Sequence, residues 1–241
     1  MSDPHRNTQA FFATTRWSIV AQSQGEGPDA QHALETLCRT YWEPLYAFAR
    51  RSGQSSSDAE DSVQSYFRML VEKELFTEAD ADRGKLRTFL LTTFRRFMTD
   101  EHRHASAQKR GGAFEHLSFD AEKGESWYER QSSEESAEKI FDRRWALTVM
   151  EQAMKKLRDR WESRGKVEQF DLIRPYLTAP PEPHAYAEIG EKTGLGLSGV
   201  KSAVARLRSQ FGEFLRAEVR ETQLDEKNFE EEMQALFSAF S

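Results

Sequence analysis

Apolar residues recur every three or four positions through almost every long segment of this chain, which is the period of an α-helix. No segment shows the alternation of apolar and polar positions that is typical of a half-buried strand. The pattern therefore predicts an all-α fold. The predicted helices cover about 15–20, 29–42, 44–53, 57–70, 85–104, 139–161, 167–177, 186–193, 197–219 and 229–240.

The helical period is interrupted between residues 105 and 138, where Ser, Gly, Glu and Lys predominate. Such a composition is typical of a flexible linker. We therefore expect two small helical domains rather than one large one. The predicted segments are an N-terminal extension over 1–27, a first domain over 28–105, a flexible acidic linker over 106–138, a second domain over 139–220 and an amphipathic C-terminal helix over 221–241.

One segment, YAEIGEKTGLGLSGVKSAVARLR at 186–208, has small and apolar residues where a helix-turn-helix needs them. Gly190 allows the two helices to approach closely, and Gly194 supplies a turn that favours a left-handed backbone. In a DNA-binding motif the first residues of the second helix enter the major groove. The candidates for base contact are Leu197, Ser198, Lys201 and Ser202, and those for phosphate contact are Arg206 and Arg208. An ordinary helical hairpin is the alternative.

Charge is segregated along the chain, although the net charge of −6 does not by itself indicate a DNA-binding protein. Residues 83–112 hold eight basic and two acidic residues, a net charge of +6, and residues 196–220 hold five and two, a net charge of +3. Residues 120–138 carry −5, from seven acidic and two basic residues, and residues 222–241 carry −4, from five and one. This arrangement favours basic DNA-facing surfaces separated by solvated acidic segments.

The composition restricts the class of protein further. Charged residues make up 31% of the chain, and no apolar run is long enough to span a membrane. The N-terminus lacks the apolar core of a secretory signal, so we expect a cytoplasmic protein. The only cysteine, Cys38, excludes a disulfide within the chain and fits a buried structural thiol. Because no phosphate loop, nucleophile motif or metal-ligand set is present, we expect no enzyme, cofactor or metal site.

Two further motifs precede the helix-turn-helix, DAEDSVQSYFRML at 58–70 and RGKLRTFLLTTFRRFMTDEHR at 83–103. With the acidic segment between them and the helix-turn-helix, they resemble a bacterial RNA polymerase sigma factor of the extracytoplasmic-function (ECF) type, reduced to sigma domains two and four. The opening FFATTRWSIV resembles a branch of that family with extensions at both ends. The resemblance implies sigma domain two over 28–105 and sigma domain four over 139–220.

The resemblance assigns roles to residues outside the apolar stripes. It implies that Asp61 and Gln64 bind the clamp helices of the polymerase β′ subunit, with Ser65 standing where the family usually has an acidic residue. It also implies that basic residues of the second motif and beyond bind the melted strand of the minus-ten element. These are Arg87, Arg95, Arg96, Arg103, Lys109 and Arg110, of which Arg96 replaces the family's usual Asn.

By the same resemblance, residues 197–208 read the minus-thirty-five element, and sigma domain four rests on the flap of the β subunit. The implied partners are core RNA polymerase and promoter DNA, with an anti-sigma factor as a further candidate. We expect the C-terminal helix, with its apolar stripe opposite Glu230, Glu231 and Glu232, to pack on domain four. A helix-turn-helix transcription regulator that acts without core polymerase is the alternative.

Overall fold

The computed structural model of the chain describes residues 28–72, 86–104, 121–131, 134–179, 182–221 and 229–241. All regular structure in these ranges is helical, which confirms the predicted all-α fold. No helix within them is long and apolar enough to cross a membrane. The helices are α1 (Pro28–Arg51), α2 (Ser56–Glu72), α3 (Leu86–His104), α4 (Ala121–Tyr128), α5 (Ala137–Glu162), α6 (Val167–Ile173), α7 (Pro183–Thr193), α8 (Leu197–Glu221) and α9 (Phe229–Ser238), with a 3₁₀ turn at Arg174–Leu177.

The chain divides into two compact units. The first consists of Met1–Leu147 together with Val219–Ser241, and the second is Thr148–Glu218. The beginning of α5 and the whole of α9 therefore belong to the unit that contains α1, α2 and α3. The predicted N-terminal extension, 1–27, lies outside the described residues.

Aromatic side chains of α1, α2 and α3 form the core of the first unit. The ring of Tyr66 meets that of Phe94 edge-on with centroids 5.0 Å apart, and Phe94 also meets Phe48 at 6.2 Å. The buried Tyr66 hydroxyl donates a hydrogen bond to the Leu90 carbonyl at 2.9 Å, and burial raises the pKa of Tyr66. This cluster packs α2 firmly against α3, which fixes the position of their outward faces relative to each other. Cys38 is buried in the same unit, as expected.

The second unit packs α6, α7 and α8 against the C-terminal part of α5. Its core includes Leu157, Trp161, Phe170, Ile173, Ile189, Val200, Ala203, Val204 and Leu207. The Trp161 indole N–H donates to the Gln210 side-chain oxygen at 2.9 Å, which satisfies a polar group that would otherwise be costly to bury. The helix-turn-helix is thus part of a four-helix core.

Pro44 lies inside α1, whereas the sequence analysis placed it in the first turn of a separate helix. An interior proline removes one backbone hydrogen bond and costs about 3 kcal/mol. The helix continues nevertheless because its apolar face continues: Leu37, Tyr41, Leu45 and Phe48 are all buried at helical spacing on both sides of Pro44. Burial of that face offsets the cost of the proline.

Part of the predicted flexible linker is helical. α4 lies at Ala121–Tyr128, and Gly124 places its backbone against α1, where a Cβ would meet the Tyr46 and Trp42 rings at 3.5 and 3.6 Å. Glu125 accepts hydrogen bonds from Arg50 Nε at 2.8 Å, Arg50 Nη2 at 2.6 Å and the Tyr46 hydroxyl at 2.5 Å. The local pattern did not predict this helix because the contacts that hold it come from residues about 75 positions away in the chain.

We expect Glu125→Gln to lower the free energy of unfolding of the first unit by about 1–3 kcal/mol, because a charged acceptor shared by Arg50 and Tyr46 is lost. The hydrogen bonds from Arg50 lower the pKa of Glu125. The stabilisation is therefore complete above the pKa of an unfolded-chain glutamate, about 4.3, and disappears as the pH falls through the lower folded-state pKa. Urea unfolding at neutral and at acidic pH measures both effects. Glu129→Gln, at an exposed position one turn later, is the control; equal stability of the two variants at neutral pH would contradict the prediction.

The C-terminal helix α9 belongs to the first unit and not to the unit that contains the helix-turn-helix, so of the predicted domain four, 139–220, it contacts residues near the two ends. Its buried positions are Leu236 and Glu232, while Phe237 and Phe240 of the predicted apolar stripe remain exposed. Arg143 donates a hydrogen bond to the Ala239 carbonyl at 3.2 Å, and the Arg220 guanidinium lies 4.7 Å from the centroid of the Phe229 ring. A buried acidic residue, rather than the aromatic stripe alone, thus decides which side of α9 faces the protein.

Candidate functional site

The helix-turn-helix has the geometry that its glycines predict. A Cβ at Gly190 would lie 2.7 Å from the Leu195 carbonyl oxygen, so only glycine allows α7 and the turn to approach this closely. Gly194 ends α7 with φ 70°, in the left-handed region, and the Leu195 N–H donates to the Gly190 carbonyl at 3.1 Å. The second helix then begins at Leu197, as predicted.

The first turns of α8 present an exposed surface. Leu197 is 57% exposed although it is a large apolar residue, and Ser198, Lys201 and Ser202 are exposed beside it. The Lys201 ammonium lies 5.7 Å from the centroid of the Tyr186 ring on α7. The four residues predicted to contact bases thus form one continuous, solvent-facing turn of the helix.

The two arginines predicted to contact phosphates differ in their surroundings. Arg206 is exposed on α8. Arg208 is exposed as well, but its Nε and Nη2 atoms donate to the Tyr176 carbonyl at 3.0 and 2.8 Å. Arg208 therefore holds the 3₁₀ turn against α8, a structural task that the sequence pattern did not indicate.

On α2, the predicted polymerase-binding residues lie off the buried stripe. Asp61 is exposed, whereas Gln64 and Ser65 are half-buried. Gln64 Nε2 donates to the Glu60 carboxylate at 3.3 Å, which orients its side chain along the helix. Residues three and four apart share a helix face, so these three side chains form one small polar surface, here called the α2 polar face.

The basic residues of α3 fall into different environments. Arg95 is 53% exposed, lies 5.5 Å from the centroid of the Phe48 ring and forms an ion pair with Glu138. Arg96 is exposed. The side chain of Arg103, and the whole of Lys109 and Arg110, lie outside the described residues.

Arg87 is the most enclosed of these basic residues, with only 12% of its side chain exposed. Its Nη1 donates to Asp142 of α5, its Nη2 donates to Glu232 of α9 at 3.2 Å, and its guanidinium lies 4.7 Å from the centroid of the Trp145 ring. Two other helices, α5 and α9, therefore converge on an arginine that was predicted to bind the DNA strand. Contact with a phosphate requires this arrangement to open.

The electrostatics of this cluster favour a charged arginine. Burial alone would lower the pKa of the Arg87 guanidinium, but Glu232 and Asp142 together outweigh burial and raise that pKa. Burial raises the pKa of Asp142, and the charge of Arg87 offsets only part of that rise. Arg87 thus remains a cation that carboxylates or other anions can compete to bind.

The acidic partners of the α3 arginines were missed from the sequence. Asp142 and Glu138 lie at the beginning of α5 and Glu232 lies on α9, each more than forty positions from the arginine that it pairs with. Periodicity gives no signal for such long-range pairs. The one available signal was the concentration of acid in the segments at 120–138 and 222–241, which contain Glu138 and Glu232.

One comparison with known proteins covers most of the chain. A family model described as ECF sigma factor matches residues 18–217, most of the 241 residues. The matched region contains every candidate site residue, whereas α9 lies beyond it. No curated protein and no solved structure matches the sequence.

Proposed function

The chain belongs to the ECF sigma factor family, and on that premise we propose that it binds core RNA polymerase and directs the enzyme to its promoters. The observation that carries the proposal is the exposed first turn of α8 on a closely packed helix-turn-helix. That turn reads the minus-thirty-five element. Lys201, Ser198 and Ser202 supply hydrogen-bonding groups for base edges, and the exposed Leu197 suits the methyl group of thymine.

In this proposal α3 binds the melted strand of the minus-ten element. Arg95 and Arg96 are exposed along the helix, where they can follow the phosphates of a single strand. Arg206 of α8 contacts phosphate of the upstream duplex and fixes the register of the helix on DNA. The two basic elements thus act on one promoter from separate units of the chain.

The α2 polar face attaches the chain to the polymerase. Asp61, Gln64 and Ser65 bind the clamp helices of the β′ subunit, and the second unit rests on the β flap. The face suits a protein interface because it is polar, is exposed at Asp61 and stands on the rigid Tyr66–Phe94 cluster. An anti-sigma factor that covers the same face would keep the chain from the polymerase.

We expect Asp61→Ala to weaken binding to core RNA polymerase about tenfold or more, because it removes the exposed charge of the α2 polar face without touching the core. Titration of fluorescently labelled chain with core enzyme measures the dissociation constant. Glu162→Ala removes one exposed acidic side chain from the end of α5 and serves as the charge-matched control. If Asp61→Ala binds core enzyme as tightly as Glu162→Ala does, the clamp assignment is wrong. If the unmodified chain does not bind core enzyme and binds a palindromic duplex tightly alone, the proposed function is wrong.

A further inference from the structure

The C-terminal helix buries one acidic side chain on an arginine of the DNA-facing helix. Glu230 and Glu231 of α9 are exposed, but the side chain of Glu232 is only 1% exposed and accepts from Arg87 Nη2 at 3.2 Å. Burying a carboxylate is unfavourable unless a cation compensates it. Seating of α9 therefore depends on the charge of Arg87.

The same pattern recurs two helical turns further along α3. Arg95 pairs with Glu138, and a cavity of about 260 Å³ between the two arginines is also lined by Thr88 and Asp142. The arginines and threonine are groups that bind phosphate, while the three carboxylates occupy positions around them that an anion would otherwise take. The surface is arranged for a polyanion and is filled by the protein's own acids.

We propose that α9 is an internal competitor of DNA, in which the Glu232 carboxylate occupies the Arg87 guanidinium until a strand phosphate replaces it. This inference rests on the proposed function, because it takes α3 to be a strand-binding helix. Arg87 lies within the region that the family model matches, whereas α9 and its Glu232 lie beyond it.

The exchange couples DNA binding to release of the C-terminal helix. When Arg87 binds a phosphate instead, Glu232 loses its interaction with this cation, and burial of the Glu232 carboxylate becomes unfavourable. DNA must displace α9 to reach Arg87, so the free energy that holds α9 in place in the free protein lowers the apparent affinity for DNA. Removing the Glu232 charge therefore raises affinity for DNA, although it adds no contact with DNA.

The test compares Glu232→Gln with Glu230→Gln, which removes the same charge from an exposed position of the same helix. Binding of a labelled single-stranded oligonucleotide to the full chain is measured by fluorescence anisotropy over a range of salt concentrations. We expect Glu232→Gln to bind about fivefold more tightly or better, and Glu230→Gln to change binding little. Adding Arg87→Gln to the Glu232→Gln variant should abolish the gain and reduce the salt slope by about 0.7, the contribution of one phosphate contact.

A second measurement does not depend on any variant. Saturating oligonucleotide should accelerate amide hydrogen exchange of α9 in the unmodified chain, because its displacement exposes backbone hydrogen bonds. Equal binding by the two glutamine variants, or α9 exchange that DNA does not change, would overturn the proposal. Either result would leave the proposed function standing if the chain still binds core polymerase, since core binding is assigned to the α2 polar face and the second unit and not to Arg87 or α9.

Discussion

Phe94→Ala is expected to destabilise the first unit by about 3–5 kcal/mol, the range for deleting a fully buried aromatic ring. Phe94 is 0% exposed and contacts both Tyr66 and Phe48, so its loss leaves a cavity that α1, α2 and α3 share. Because the α2 polar face and the α3 arginines stand on this cluster, binding to core polymerase should weaken together with stability.

Hydrogen exchange measured by mass spectrometry separates this effect from a general loss of structure. We expect faster exchange in α1, α2 and α3, with α6 and α7 of the second unit unchanged. Phe237→Ala removes the same ring from a position that is 60% exposed and should change stability by no more than about 0.5 kcal/mol. Equal stability of the two variants would show that the aromatic cluster does not hold α2 against α3.

Gly190→Ala should destabilise the second unit by about 1–3 kcal/mol and abolish promoter-specific binding by α8. Replacing glycine by alanine inside a helix ordinarily stabilises it by about 0.5–1 kcal/mol. Here the sign reverses, because the added Cβ would lie 2.7 Å from the Leu195 carbonyl oxygen and force the turn away from α7. Thermal unfolding and duplex DNA binding measure the two consequences.

Gly196→Ala is the matched control for this prediction. A Cβ at Gly196 has no heavy atom within 4 Å, and its backbone is not in the left-handed region. We therefore expect this variant to keep the stability and DNA binding of the unmodified chain. If Gly190→Ala behaves like Gly196→Ala, close approach of α7 to the turn is not what holds the helix-turn-helix.

The sequence predicted those parts of the fold whose information is local. The stripes of α2 and α5 and the two glycines of the helix-turn-helix each depend on residues within a few turns of one another. Gly190 and Gly194 could be assigned from steric size and backbone freedom alone. For the same reason the exposed positions at the start of α8 followed from the predicted start of that helix.

Long-range pairing accounts for what the sequence did not predict. α4 has few apolar residues of its own and is held by Arg50 and Tyr46 of α1. The position of α9 depends on Arg87, which is 145 positions from Glu232 in the chain. The amphipathic pattern of α9 therefore predicted a helix but not the surface on which it packs. The position of Pro44 was predicted wrongly because the free-energy cost of an interior proline is smaller than the stabilisation from burying the apolar residues on both sides of it. That burial is visible only in the packed structure.

We propose that this ECF sigma factor directs core RNA polymerase to promoters through α3 and α8. Transcription in vitro from a promoter library, with purified core enzyme and the full chain, tests it most directly. We expect transcripts that require the chain and start downstream of two shared sequence elements. Lys201→Ala should reduce output only from promoters that depend on the upstream element, with core binding unchanged. Transcripts that do not require the chain, or no transcripts at all, would contradict it.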